Sequence, residues 1–318
     1  MENKMTDFDI KRSFMKIINR KPFLKIFIDD YWDYYMKLFN LESKYELFKE
    51  QYKSAGFQNY QDFYNKLILT TKQCADIMFN TSNENVLKKL ADVQDDIQDW
   101  TELEEVSKLN ASNTTKYTMK VDLISGADSA LKYLNLFNTD YSSTQEIIND
   151  LSSYDIFKNN KTIRILVYRS AGIDFHPVLQ KIESYCLIKK LYETDSLVKK
   201  LTEDIGIPYY KLLGDSLIYN IDSPDKYKDL CKPYQDNEIP YHIDLFKVNY
   251  ISIFGNCYDI HENLNTSEMA FPISLNGLEP LTYKLCKGEQ PNEMDLAVGL
   301  EDKIFLHLNE NDYETIQI

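Results

Sequence analysis

The sequence predicts an α+β protein in which a helical N-terminal domain precedes a mixed sheet domain. Eight of the nine prolines lie at or after Pro177, and the other is Pro22. Proline interrupts helix interiors. Through the N-terminal third, apolar residues recur every three or four positions, as in amphipathic helices. After the polar segment 110–115, short β-prone runs alternate with helical patterns. We therefore predict a helical domain at 1–112 and an α+β domain at 113–318.

Composition indicates a folded protein of the cytoplasm. The 318 residues are 43% hydrophobic and 27% charged, a balance that supports a hydrophobic core. No run approaches the roughly 18 consecutive apolar residues that a membrane span needs, and the first residues lack the apolar stretch of a signal peptide. The five cysteines are odd in number and contain no C-x-x-C spacing, as in proteins with reduced thiols.

Four helices are predicted in the N-terminal domain, at 22–39, 40–56, 63–78 and 86–106. The first contains four neighbouring aromatic residues, Tyr31, Trp32, Tyr34 and Tyr35. Successive helical residues point about 100° apart, so these rings cannot all face one core. We expect some of them to bind a partner, because tyrosine and tryptophan are enriched at protein interfaces.

The second domain is predicted to combine strands with helices. Strands are expected at 117–124, 162–168, 209–213, 217–221, 250–254, 269–273, 281–285, 303–307 and 313–318. Helices are expected at 129–137, 144–152, 177–204 and 224–231. The order from 162 to 254 is strand, helix, strand, strand, helix, strand, which is that of a ferredoxin-like split βαβ unit. Residues 255–318 would form an acidic, β-rich extension.

Asp215 lies at the turn of the predicted hairpin within that unit. The arrangement resembles palm-type polymerases and nucleotide cyclases, in which a carboxylate at this hairpin and another at the end of the preceding first strand hold two metal ions. The resemblance implies a nucleotide-processing enzyme that uses Mg²⁺ or Mn²⁺. The predicted first strand does not end in an acid, so Asp174 could supply the second carboxylate only if its loop folds back. Alternatively, Asp215 is a turn residue favoured by its own backbone hydrogen bonding.

Charge favours a different function. The formal net charge is -14, and residues 241–318 contain 4 basic and 13 acidic side chains, which gives -9. Because such a surface repels phosphate backbones, nucleic-acid binding is disfavoured. With the aromatic cluster, this pattern favours a protein-binding or regulatory module that contacts a protein partner, either a second copy or a basic or nucleic-acid-binding target.

Other candidate sites are less complete. Arg169 could bind a carboxylate or phosphate through its planar guanidinium. Neither G-x-G-x-x-G nor a P-loop motif occurs, which excludes the common dinucleotide and phosphate loops. The four histidines show no metal-ligand spacing. The leading hypothesis is therefore the protein-binding module without a cofactor, and the metal-dependent enzyme is the alternative.

Overall fold

The computed structural model describes residues 6–21, 24–79, 83–92, 115–136, 140–171, 179–187, 211–213, 215–221, 223–225, 241–275, 277–300 and 304–316. Within these ranges the protein combines helices with antiparallel β-sheet, which confirms the predicted α+β class.

The described N-terminal part consists of helices. They are α1 (Asp7–Ile17), α2 (Asp29–Leu38), α3 (Glu42–Ser54), α4 (Tyr60–Phe79) and α5 (Asn83–Asp92), with a 3-10 turn at Leu24–Phe27 before α2. The helices predicted before position 80 are confirmed in α2, α3 and α4. Most of the helix predicted at 86–106 lies outside the described residues.

The beginnings of α1 and α3 differ from the prediction. Helix α1 was not predicted, and a reciprocal capping box begins it: the Asp9 N–H donates to Thr6 Oγ1, while the Thr6 N–H donates to the Asp9 carboxylate. The helix predicted from position 40 begins at Glu42 instead. Asn40 has a left-handed φ of 51°, as is typical of a residue that follows the end of a helix, here α2.

Within the described ranges, four α-helices lie between the first strand, β1 (Tyr117–Leu123), and the second. They are α6 (Gly126–Tyr133), α7 (Thr144–Leu151), α8 (Lys161–Ala171) and α9 (179–187). The other strands are β2 (Lys211–Leu213), β3 (Ser216–Ile221), β4 (Tyr241–Ile253), β5 (Asn256–Asn263), β6 (Met269–Ala270), β7 (Ala297–Leu300), β8 (Ile304–His307) and β9 (Tyr313–Ile316). Helices α10 (Glu279–Lys287) and α11 (Glu293–Leu296) lie between β6 and β7.

The main sheet has the strand order β2-β3-β1-β4-β5-β6, and every neighbouring pair is antiparallel. Strand β9 pairs with the last residues of β4, on the edge that β1 occupies further along. Strands β7 and β8 form a separate antiparallel pair.

Two predicted strands are helices. The strand predicted at 162–168 lies inside α8, and Asn160 Oδ1 accepts hydrogen bonds from the N–H groups of Thr162 and Ile163 at the start of that helix. The strand predicted at 281–285 lies inside α10, which has proline in its first turn and ends at left-handed Gly288. The prediction of a split βαβ unit at 162–254 is therefore wrong for its first strand, because that segment is helical.

One hydrophobic core joins the N-terminal helices to one face of the sheet. Met119, Val121 and Leu123 of β1 contribute to it, together with side chains from α1 to α4 and α6 to α9. It extends on both sides of the predicted boundary at 110–115, of which only residue 115 is described. A second cluster packs Ile251 and Ile260 against Leu281 of α10. None of the described helices is long and apolar enough to cross a membrane.

Candidate active site

Neighbouring strands bring Asp122 and Asp215 to one end of the sheet. Asp122 is the penultimate residue of β1 and pairs in register with Ser216, the first residue of β3. Asp215 precedes β3 in the hairpin turn, and its backbone carbonyl accepts a hydrogen bond from the Leu123 N–H at 2.8 Å. The two carboxyl-bearing residues are thus held by adjacent backbone segments, one residue apart in register.

The carboxylate of Asp122 lies on the face of β1 opposite the core. Side chains alternate along a strand, so Lys120 and Asp122 point away from the buried Val121 and Leu123. Lys120 Nζ lies 2.8 Å from Asp122 Oδ1 and 2.9 Å from Oδ2. The hydroxyl of Ser216 also donates to Oδ1. Asp122 retains 21% of its side-chain exposure, so solvent reaches it.

Asp215 is half-buried against the start of α6. A Cβ atom added to Gly126 would lie 2.5 Å from Asp215 Cβ and 2.6 Å from Oδ2, so the close approach requires glycine. Ser125, which precedes α6, has a left-handed φ of 53° and makes no side-chain cap. The first-turn N–H groups of a helix have no intrahelical acceptor, so this turn offers backbone donors beside the carboxylate.

The negative charge of the site exceeds what its cations balance. Burial is the main cause that raises the pKa of Asp215, and the charge of Asp122 raises it further, while Lys120 and Lys161 partly oppose the shift. Half-buried Glu183 of α9 is also close: burial, with Asp215 and then Asp128, raises its pKa to about 8. A bound cation would relieve this repulsion.

The chemistry of two carboxylates suits a divalent cation that also binds phosphate. Hard cations prefer oxygen ligands, and Mg²⁺ in nucleotide enzymes is commonly held by one or two carboxylates plus substrate phosphates and water. Within the described ranges, no group of three or more His, Cys, Asp or Glu side chains could hold a metal ion. A metal at Asp122 and Asp215 would therefore need phosphate or water oxygens as its remaining ligands.

A buried polar cluster holds α6 in place behind the site. Thr144 Oγ1 donates to Asp128 Oδ1 at 2.5 Å, and the Tyr168 hydroxyl donates to the same oxygen at 2.7 Å. The three residues come from α7, α6 and α8. Since Asp128 lies two residues after Gly126, this cluster fixes the helix turn against which Asp215 packs.

Of the two predicted catalytic residues, Asp215 and Asp174, the structure describes only Asp215. Asp215 lies in the turn between β2 and β3, as the predicted hairpin requires. Asp174 lies outside the described residues, and the strand that was to place it is α8. Asp122 was not predicted as a site residue, although it lies near the end of the correctly predicted strand at 117–124. The missing information was that β1, and not the segment 162–168, lies beside the hairpin.

The predicted binding residues are mostly interior. Tyr31, Trp32 and Tyr35 are buried, with 3%, 2% and 0% exposure. Tyr34 is half-buried, and its hydroxyl donates to Asp295. Arg169 is exposed on the last turn of α8. The rings of the aromatic cluster thus contact the chain itself, and the protein-binding module stays a prediction.

Comparisons of the chain with protein-family models, with curated proteins and with solved structures gave no significant match.

Proposed function

We propose that this protein is a divalent-metal-dependent enzyme that acts on nucleotides, with Asp122 and Asp215 as the metal-binding carboxylates. The observation that carries the proposal is their juxtaposition: Asp122 near the end of β1 pairs with the residue that follows Asp215. In this proposal Asp122 takes the role that sequence analysis gave to Asp174.

The strand order supports this assignment. Strands β2-β3-β1-β4 are antiparallel neighbours, with β1 between β3 and β4. We infer that these four strands form a ferredoxin-like split βαβ unit whose first strand is β1, with α6 to α9 in its first connection. The carboxylates then occupy the two positions that palm-type polymerases and nucleotide cyclases use: the end of the first strand and the central hairpin.

The surrounding residues suit a nucleoside triphosphate. The open first turn of α6 presents backbone N–H groups, which favour a phosphate group. Lys161 and Lys120 are close enough to Asp215 to influence its pKa, so they would also attract a polyphosphate. When bound, the metal ions would neutralise phosphate oxygens and activate the attacking hydroxyl. Asp122 and Asp215 would orient those ions and keep them beside the hairpin.

Pyrophosphate release tests the proposal. The full-length protein is incubated with ATP, GTP, CTP or UTP and Mg²⁺ or Mn²⁺, because polymerases and cyclases release pyrophosphate when a hydroxyl attacks the α-phosphate. We expect turnover that EDTA abolishes, and a loss of roughly 100-fold in Asp122→Asn and in Asp215→Asn, since each variant removes a charged metal ligand.

Asp155→Asn is the matched control, because Asp155 pairs with Lys158 in an exposed surface ion pair. It should retain full turnover. Thermal unfolding of all variants shows whether the site variants fold. Absence of metal-dependent turnover with every nucleotide, or full turnover in both site variants, would contradict the proposed function.

A further inference from the structure

Both carboxylate oxygens of Asp122 already have a cationic neighbour. Lys120 Nζ approaches Oδ1 and Oδ2 at nearly equal distances, 2.8 and 2.9 Å, and Ser216 donates to Oδ1. The Lys120 ammonium group therefore contacts both oxygens of the Asp122 carboxylate. A divalent cation that uses Asp122 as a ligand requires the same oxygen atoms.

The strand geometry keeps Lys120 at this position. Lys120 and Asp122 are two residues apart on β1, so their side chains leave the strand on one face. Both are partly accessible, with 31% and 21% side-chain exposure. The lysine side chain can consequently turn toward solvent without disturbing the core, which lies on the other face of β1.

We propose that Lys120 is a built-in counter-ion of the metal-free site, which competes with the divalent cation for Asp122 and so lowers metal affinity. Lys120 is thus a positioning residue, because it acts through Asp122. It can have this role only if Asp122 is a metal ligand, so the inference rests on the proposed function.

Mn²⁺ binding without nucleotide tests this role directly. The full-length protein is titrated into a Mn²⁺ solution, and the concentration of unbound Mn²⁺ is measured by electron paramagnetic resonance. Removal of a positive charge from beside the dication should lower the Kd of Lys120→Met by about fivefold relative to the wild type. Lys120→Arg should keep the wild-type Kd, because guanidinium retains the charge and pairs well with a carboxylate.

Lys158→Met is the matched control, since Lys158 lies 2.9 Å from Asp155 in a surface ion pair. Its Kd should equal that of the wild type. Asp122→Asn should bind Mn²⁺ much more weakly than the wild type. Circular dichroism verifies that each variant is folded.

The outcomes separate the two proposals. If the wild type binds Mn²⁺ through Asp122 but Lys120→Met binds it equally or more weakly, the role of Lys120 is overturned and the metal site stands. If neither the wild type nor Lys120→Met binds Mn²⁺ at millimolar concentration, both proposals are overturned. Binding by Lys120→Met alone supports the competition.

Discussion

At the scale of single residues, Gly126 shows how little room the site has. An alanine Cβ at this position would lie 2.5 Å from Asp215 Cβ, which is a backbone-proximal atom that cannot rotate away. Gly126→Ala must therefore displace the hairpin turn or the start of α6. We expect a loss of about 1 to 3 kcal/mol in the free energy of unfolding, measured with urea. Turnover should fall roughly 100-fold because Asp215 moves relative to Asp122.

Gly56→Ala is the control for this prediction. An added Cβ at Gly56 meets nothing within 4 Å, but its φ of +72° is strained for alanine. This variant should lose about 1 kcal/mol of stability without changing turnover. Equal turnover in wild type and Gly126→Ala would show that the close packing against Asp215 has no role in the site.

Sequence alone could identify one carboxylate of the pair. Asp215 is recognisable because two β-prone runs flank it closely, which is the local pattern of a hairpin. Asp122 and Lys120 carry no comparable local signal. Their importance depends on which strand lies beside β3, and that choice is made by packing between segments almost 100 positions apart.

At the scale of elements, the Asp128 cluster should stabilise three helices together. Tyr168→Phe removes the hydroxyl that donates to Asp128 at 2.7 Å and leaves a buried carboxylate with one fewer donor. We expect a loss of about 1 to 3 kcal/mol in the free energy of unfolding by urea. Tyr154→Phe is the matched control, because Tyr154 packs through its ring against Phe57 and Phe157. A loss no larger than that of the control would contradict a stabilising role for the hydrogen bond.

The same region explains the main error of the sequence analysis. The segment 162–168 is rich in β-branched residues, and Ile163, Ile165 and Val167 alternate as they would in a strand. In α8, Ile163 and Val167 are instead one helical turn apart and both fully buried. Helix α8 packs against α4, and this packing buries Ile163 and Val167 on one helical face. Tertiary contacts thus override the local preference of the segment for a β-strand.

At the scale of the whole molecule, polar contacts join the N-terminal helices to the C-terminal segment. Arg20 lies 3.4 Å from Glu279, 259 positions along the chain. Tyr34 donates to Asp295, and the buried ammonium of Lys25 donates to the carbonyls of Met294 and Ala297. These contacts account for part of the burial of the aromatic cluster. No sequence pattern predicted them, because the partners belong to opposite ends of the chain.

Lys25 makes the folding stability depend on pH through its contacts with the C-terminal segment. Burial lowers its pKa to about 8, against an ordinary value of 10.5. Between these two values the unfolded chain binds more protons than the folded protein, so folding stability gains a contribution that rises with pH. Above pH 10 the buried Tyr31 and Tyr35 act in the opposite direction, because burial raises their pKa values and favours their protonated form in the folded state. The Lys25 contribution is therefore measured between pH 8 and 10.

Lys25→Met isolates this contribution because methionine does not titrate. The difference in unfolding free energy, wild type minus variant, should increase by about 1 to 2 kcal/mol from pH 8 to pH 10, measured by urea denaturation at constant ionic strength. Lys158→Met, which removes a partly exposed surface lysine, is measured in parallel as the control. A flat or falling difference for Lys25→Met would mean that the ammonium is not desolvated, and hence that the C-terminal segment does not cover it in solution.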